Sequence, residues 1–125
     1  PRPQPRGATM ANEAPSHSAF FGDQDRTFAL PADMIAELER KTGRGIGGLC
    51  RDLFGGNFAH REILETIRLS LIGGGETPAV AASLVSVYAA NRPLAETYPL
   101  AVSILEAAYF GRVQTPDLDM KDAAP

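Results

Sequence analysis

Between Phe28 and Phe54 the hydrophobic pattern changes period and is cut by stop residues, which limits this part of the chain to short elements. Phe28-Ala29-Leu30 reads as a strand. Pro31 suits a first helical turn, Asp33 complements the positive end of the helix dipole, and Met34, Ile35 and Leu38 line one face before Gly43 ends the helix. A second helix then sets Ile46, Leu49, Cys50, Leu53 and Phe54 at i, i+3, i+4, i+7 and i+8 until Gly55-Gly56 stops it. This is the clearest amphipathic stripe in the chain. No catalytic constellation lies along it, so the function is not expected to be chemical.

The flanking segments obey the same restriction. Ala19-Phe20-Phe21 and Thr27-Phe28-Ala29-Leu30 flank Gly22-Asp23-Gln24-Asp25, a polar turn with a glycine able to take positive φ, and together they predict a hairpin. A two-stranded hairpin is marginal in water, so its aromatic face has to dock on helices. A third helix is expected from about Ala59 to Ile72, with Ile63, Leu64, Ile67 and Leu71 inward, Arg61, Glu65 and Arg68 outward, and a stop at Gly73-Gly74-Gly75. Thr77-Pro78 supplies an N-cap and a proline at the first helical position for a fourth helix carrying Val80, Ala81, Leu84, Val85 and Tyr88 on one face, with Asn91 at its end. The last helical segment, Pro93 to Phe110, contains Pro99, which lacks an N–H and crowds the preceding turn, so a kink or break is expected near Tyr98. The sum is a mainly α, small α+β single domain: an N-terminal β-hairpin packed on about five short helices.

A chain of 125 residues has room for one core. Residues 1–17 combine proline, small and polar residues with little to bury and are expected to form a disordered lead; residues 18–111 are the domain; residues 112–125 are expected to be a flexible tail. Met10-Ala11-Asn12-Glu13 reads as a natural start, so Pro1 to Thr9 are expected to be upstream residues. A net charge of -3 with arginines spread thinly among acids argues against nucleic acid as a partner. The single cysteine, Cys50, cannot make an internal disulfide, and no apolar run approaches a membrane span, so a cytoplasmic protein with no membrane contact is expected.

Several motifs have plain structural readings. Gly43-Arg44-Gly45-Ile46-Gly47-Gly48 matches G-x-G-x-x-G, but a helix rather than a strand precedes it, so it reads as a helix stop followed by a helix start. Cys50 lies on an apolar stripe with no histidine pattern nearby, which favours an inert packed thiol over a nucleophile. His17, in the lead, and His60 are isolated, and Asp23 and Asp25 lack the further oxygen ligands of a calcium loop. No cofactor, metal or enzymatic activity is expected. The large side chains Phe20, Phe21, Phe28, Phe54, Phe58, Tyr88, Tyr98, Tyr109 and Phe110 exceed what so small a fold obviously hides, and either all are core or some form a partner groove.

Several blocks in order carry a family resemblance: a β-hairpin ending in an F-x-L strand, Ile35 to Glu39 closing on Thr42-Gly43, Ile63-Leu64-Glu65-Thr66-Ile67-Arg68 to Gly75, Arg92-Pro93-Leu94-Ala95-Glu96, and Ala107-Ala108-Tyr109-Phe110-Gly111. Over roughly residues 18 to 111 they resemble the tail assembly chaperone family of gene transfer agents and siphophages, also labelled tail tube. The resemblance implies a non-catalytic morphogenesis factor whose client is the tape measure protein, with the tail tube protein as a second partner, and it leaves a homo-oligomer possible. The candidate groove joins Ile46, Leu49, Leu53, Phe54 and Phe58 to the face of Tyr98, Tyr109 and Phe110, because both regions combine large apolar residues with glycine or proline breaks. The alternative is a minor structural component retained in the tail.

Overall fold

The computed structural model of the chain describes residues 14–111, so most of the expected lead and all of the expected tail lie outside the described residues. Two strands, β1 (Ser16–Phe21) and β2 (Gln24–Ala29), pair antiparallel with Phe21 opposite Gln24 and Ser16 opposite Ala29. Only Gly22 and Asp23 connect them. Gly22 takes φ +75° while Asp23 keeps a negative φ, the pattern of a two-residue turn whose twist matches that of the strands. β1 begins inside the segment expected as lead: Ser16 and His17 pair with Ala29 and Phe28, and the His17 ring lies 6.4 Å from the Phe28 ring.

Five helices follow: α1 (Ala32–Thr42), α2 (Ile46–Phe54), α3 (His60–Gly73), α4 (Pro78–Tyr88) and α5 (Leu94–Phe110). The glycine-rich stretch after α1 is a stop and a start. Gly43 caps α1 in the left-handed region at φ +79°, its N–H donating to the Glu39 carbonyl, and Gly45 is the N-cap of α2. The Glu39 carboxylate crosses the gap and accepts the Ile46 N–H at 2.8 Å, so α1 supplies the cap that α2 lacks. Thr77 caps α4 by accepting the Val80 N–H at 3.2 Å, with Pro78 at the first helical position.

α3 is the hub, touching α1, α4, α5 and β2. It is buried on more than the expected stripe: Ile63, Thr66, Ile67, Leu69, Ser70 and Leu71 are all buried, whereas Leu64 is only partly so. Its buried hydroxyls are satisfied by its own backbone, Thr66 donating to the Glu62 carbonyl at 2.7 Å and Ser70 to the Ile67 carbonyl at 2.9 Å. Phe28, Leu38, Leu49, Leu53, Ile104 and Leu105 complete the core around it. α5 runs through Pro99 without the expected break. A proline at this point removes a single hydrogen bond, to the carbonyl of Ala95, and the buried Thr97 and Ala101 hold the helix against its neighbours on either side of the gap.

Two ionic seams tie loops to helices and to the hairpin. The Arg44 guanidinium donates to both oxygens of the buried Glu62 carboxylate at 3.0 Å each and to Asp52, joining the α1–α2 connection to α2 and α3. Glu62 also accepts the Ala59 N–H at 3.0 Å, closing the first turn of α3. Hydrogen bonding from Arg44, and then from Arg51, holds the Asp52 carboxyl below its ordinary pKa. Arg26, its side chain 8% exposed, bridges Asp23 in the hairpin turn and Glu76 after α3 at 2.9 and 2.7 Å.

Candidate functional site

Apolar surface left over from the core gathers on two flanks of α5. On an α-helix, residues three, four, seven or eleven apart share a face. Ala101, Ile104 and Leu105 therefore turn together into the core, Tyr98 and Tyr109 lie together on one flank, and Glu96, Leu100 and Ser103 lie on the other.

On the Tyr98–Tyr109 flank, α2 packs against the C-terminal half of α5. The Phe54 ring meets Tyr109 edge-on at 6.0 Å and Phe110 nearly parallel at 6.3 Å, and Tyr109 and Phe110 meet each other at 5.0 Å. Tyr109 and Phe110 remain 60% and 62% exposed although they touch one another. Below them Phe58 stacks on Tyr98 at 4.7 Å, and the Tyr98 hydroxyl donates to the Leu53 carbonyl, so this second pair is structural first. Leu49 and Leu53, the centre of the α2 stripe, are fully buried in the chain's own core and offer nothing to a partner, while Ile46 is half-buried against that core. The eight candidate positions thus resolve into an exposed aromatic patch of Tyr109 and Phe110 backed by Phe54, a stacked pair, Phe58 on Tyr98, and three residues engaged with the core.

On the opposite flank, a groove of about 730 Å³ opens between β1, the end of α4 and the first half of α5. Its walls include Phe20, Val87, Tyr88 and Leu100, with Phe20 68% and Val87 63% exposed. Its floor holds Thr97, buried, with an Oγ1 that has no hydrogen-bond partner among the described residues, and its rim holds the Arg92–Glu96 ion pair at 2.9 Å. Hydrogen bonding to Glu96 raises the pKa of Arg92 above its ordinary value. Val80 and Tyr88, expected on the core face of α4, are not part of that core: Ala81, Leu84 and Val85 occupy it, and Tyr88 instead caps the hairpin turn, its ring 6.1 Å from that of Phe21.

The groove escaped attention in the sequence. A period-2 reading of Ala19-Phe20-Phe21 would have sent Phe20 and Phe21 to opposite faces and marked one of them as exposed. Which face stays open depends on α4 and α5, distant in the chain.

Cys50 is buried in the core, and desolvation pushes its thiol from an ordinary value of 9.0 up to about 11, leaving it protonated and unreactive. Among the described residues no group of three or more His, Cys, Asp or Glu side chains could hold a metal ion, and no helix is long and apolar enough to cross a membrane.

The model of the family described as phage tail tube protein, GTA-gp10, matches residues 14–111, more than three quarters of the chain and all of its described fold. The chain belongs to this gene transfer agent and phage tail family. No curated protein and no solved structure matches it. Within the family's matched region, the hairpin, the five helices, the aromatic patch and the groove are all present in this member.

Proposed function

We propose that this member of the phage tail tube protein, GTA-gp10, family is a non-catalytic assembly chaperone that shields the tape measure protein while a tail is being built. The observation carrying this reading is the exposed aromatic patch of Tyr109 and Phe110 backed by Phe54, at the end of α5. Two large aromatic rings left in water on a small domain are a recognisable docking surface, since aromatic anchors dominate the energetics of interfaces. An elongated client with apolar helical stripes would lay one stripe across such a patch. The small size of the sheet also supports an accessory role over a wall-forming one: the described residues supply two strands of six residues each, little material for the continuous β-wall of a tube.

Co-expression with the tape measure protein followed by pull-down tests the reading. Tyr109→Asp with Phe110→Asp should abolish capture while leaving the circular dichroism spectrum unchanged, because both side chains are more than half exposed and outside the buried core. Undiminished capture by a folded double variant would remove the patch as the docking surface. Leu49 and Leu53 are unsuitable for this purpose, since an aspartate at either would be buried in the core.

A second reading, a minor structural protein retained in the particle, is favoured by the family's own description as a tail tube protein. Protein inventory of purified particles separates the two. A chaperone is absent from finished tails, whereas a component is present at fixed stoichiometry.

A further inference from the structure

The two edges of the hairpin are treated differently. β2 is covered: a Cβ placed on Gly73 would lie 2.0 Å from the Ala29 carbonyl oxygen, and one on Gly74 would lie 1.9 Å from that of Thr27, so the end of α3 presses on these two carbonyls. Those oxygens therefore face α3 rather than β1. In an antiparallel ladder, residues whose polar groups turn outward sit opposite residues that do the same. Thr27 and Ala29 sit opposite Ser18 and Ser16, so Ser16, Ser18 and, by alternation, Phe20 turn their N–H and C=O groups away from β2. Among the described residues β1 has β2 as its sole strand partner, and no backbone hydrogen bond from outside the hairpin reaches Ser16, Ser18 or Phe20.

Exposed edges are ordinarily blunted by charge, proline or a covering element. β1, Ser-His-Ser-Ala-Phe-Phe, has no Lys, Arg, Asp, Glu or Pro, while the covered β2 contains Asp25 and Arg26. The open edge also overlooks the groove, whose walls Phe20 and Val87 are exposed.

We propose that the occupant is a second copy of this chain, with β1 pairing antiparallel to the β1 of its partner about a two-fold axis to make one four-stranded sheet. The strand is compatible with its own copy because self-pairing opposes no charged side chains. The groove is compatible as well. A two-fold perpendicular to the sheet keeps both helical layers on one face, brings the Val87 and Leu100 walls of the two copies together, and lets Arg92 of each exchange its Glu96 for the other's across the axis. Arg92, just before α5, and Glu96, in its first turn, carry opposite charges, so the antiparallel arrangement matches plus to minus.

Sedimentation equilibrium of the full chain over micromolar concentrations tests this. The expected result is a reversible dimer. Val87→Asp, at a site already in water, and Ser18→Pro, which removes an outward N–H and no ladder bond, should each weaken dimerisation at least tenfold while the circular dichroism of the monomer is kept. Monomer at every concentration, or a dimer indifferent to a folded Val87→Asp variant, would overturn the proposal. So would a monomer whose capture of the tape measure protein is lost in Val87→Asp, since the edge would then belong to another chain. Capture through Tyr109 and Phe110 lies on the opposite flank and can fail or succeed separately.

Discussion

Replacing Gly74 by alanine sets two effects of opposite sign against each other, and the structure decides between them. Gly74 has φ -86° and ψ -1°, a conformation that any residue adopts, so the backbone itself does not require glycine there. Taken alone, Gly→Ala next to a helix end should stabilise by up to about 1 kcal/mol through helix propensity and reduced freedom of the unfolded chain. The new methyl, however, would lie 1.9 Å from the Thr27 carbonyl oxygen and 2.7 Å from its carbon, where ordinary contact begins about 3.4 Å away. Relief demands a separation of helix and strand by more than about 1 Å, and the strand cannot yield freely because β1 pairs with it and Arg26 pins it to Glu76. Overpacking of this kind costs about 1–3 kcal/mol where flexible side chains absorb it, and more where the obstacle is backbone, so a net loss of about 2 kcal/mol or more is expected. For a domain of this size that is a fall in melting temperature of roughly 10 °C, readable by thermal circular dichroism or calorimetry. Gly47→Ala provides the control: it lies in α2 with nothing within 4 Å of the added atom, and it should hold or raise the melting temperature. Gly74→Ala melting at or above the unsubstituted chain would refute the close approach of α3 to β2, and with it the reason for assigning the open edge to β1.

Arg44→Ala should cost about 2 kcal/mol in urea unfolding, since it strands the buried Glu62 carboxylate without its bidentate partner; unchanged stability would mean that the carboxylate is solvated. The same substitution should flatten the acid limb of the stability curve, because the folded pKa of Asp52 is depressed by Arg44: that contribution is present above the ordinary value of 3.8 and is lost as pH falls through the lower folded value. Cys50 predicts the opposite limb. Its folded pKa is raised from 9.0 to about 11, so its contribution is complete below pH 9.0 and disappears as pH rises from there toward 11, and a thiol reagent at pH 8 should label the chain only after denaturation; rapid labelling of the native protein would contradict its burial.

The helices were readable because their causes are local. The α2 stripe, the left-handed stop at Gly43, the Thr77-Pro78 start and the Gly22 turn each act within a few residues, so pattern and element agree. The candidate site was readable only in part for the same reason. Periodicity shows that Leu49, Leu53 and Phe54 share a face, yet it is silent on whether that face meets this chain or another. Here α5 covers the two leucines and stops at Phe110, leaving Phe54 to back the exposed rings.

The sequence by itself determined a hairpin followed by five short helices, one inert cysteine and a surplus of large apolar side chains, because breakers, caps and hydrophobic period operate on neighbours in the chain. Only the tertiary structure decided that Gly73 and Gly74 are contact residues for β2, that Pro99 is absorbed within a helix, and that the surplus divides between the two flanks of α5. Those outcomes depend on the distance between segments up to eighty residues apart, and steric exclusion over such separations leaves no periodic mark in a sequence.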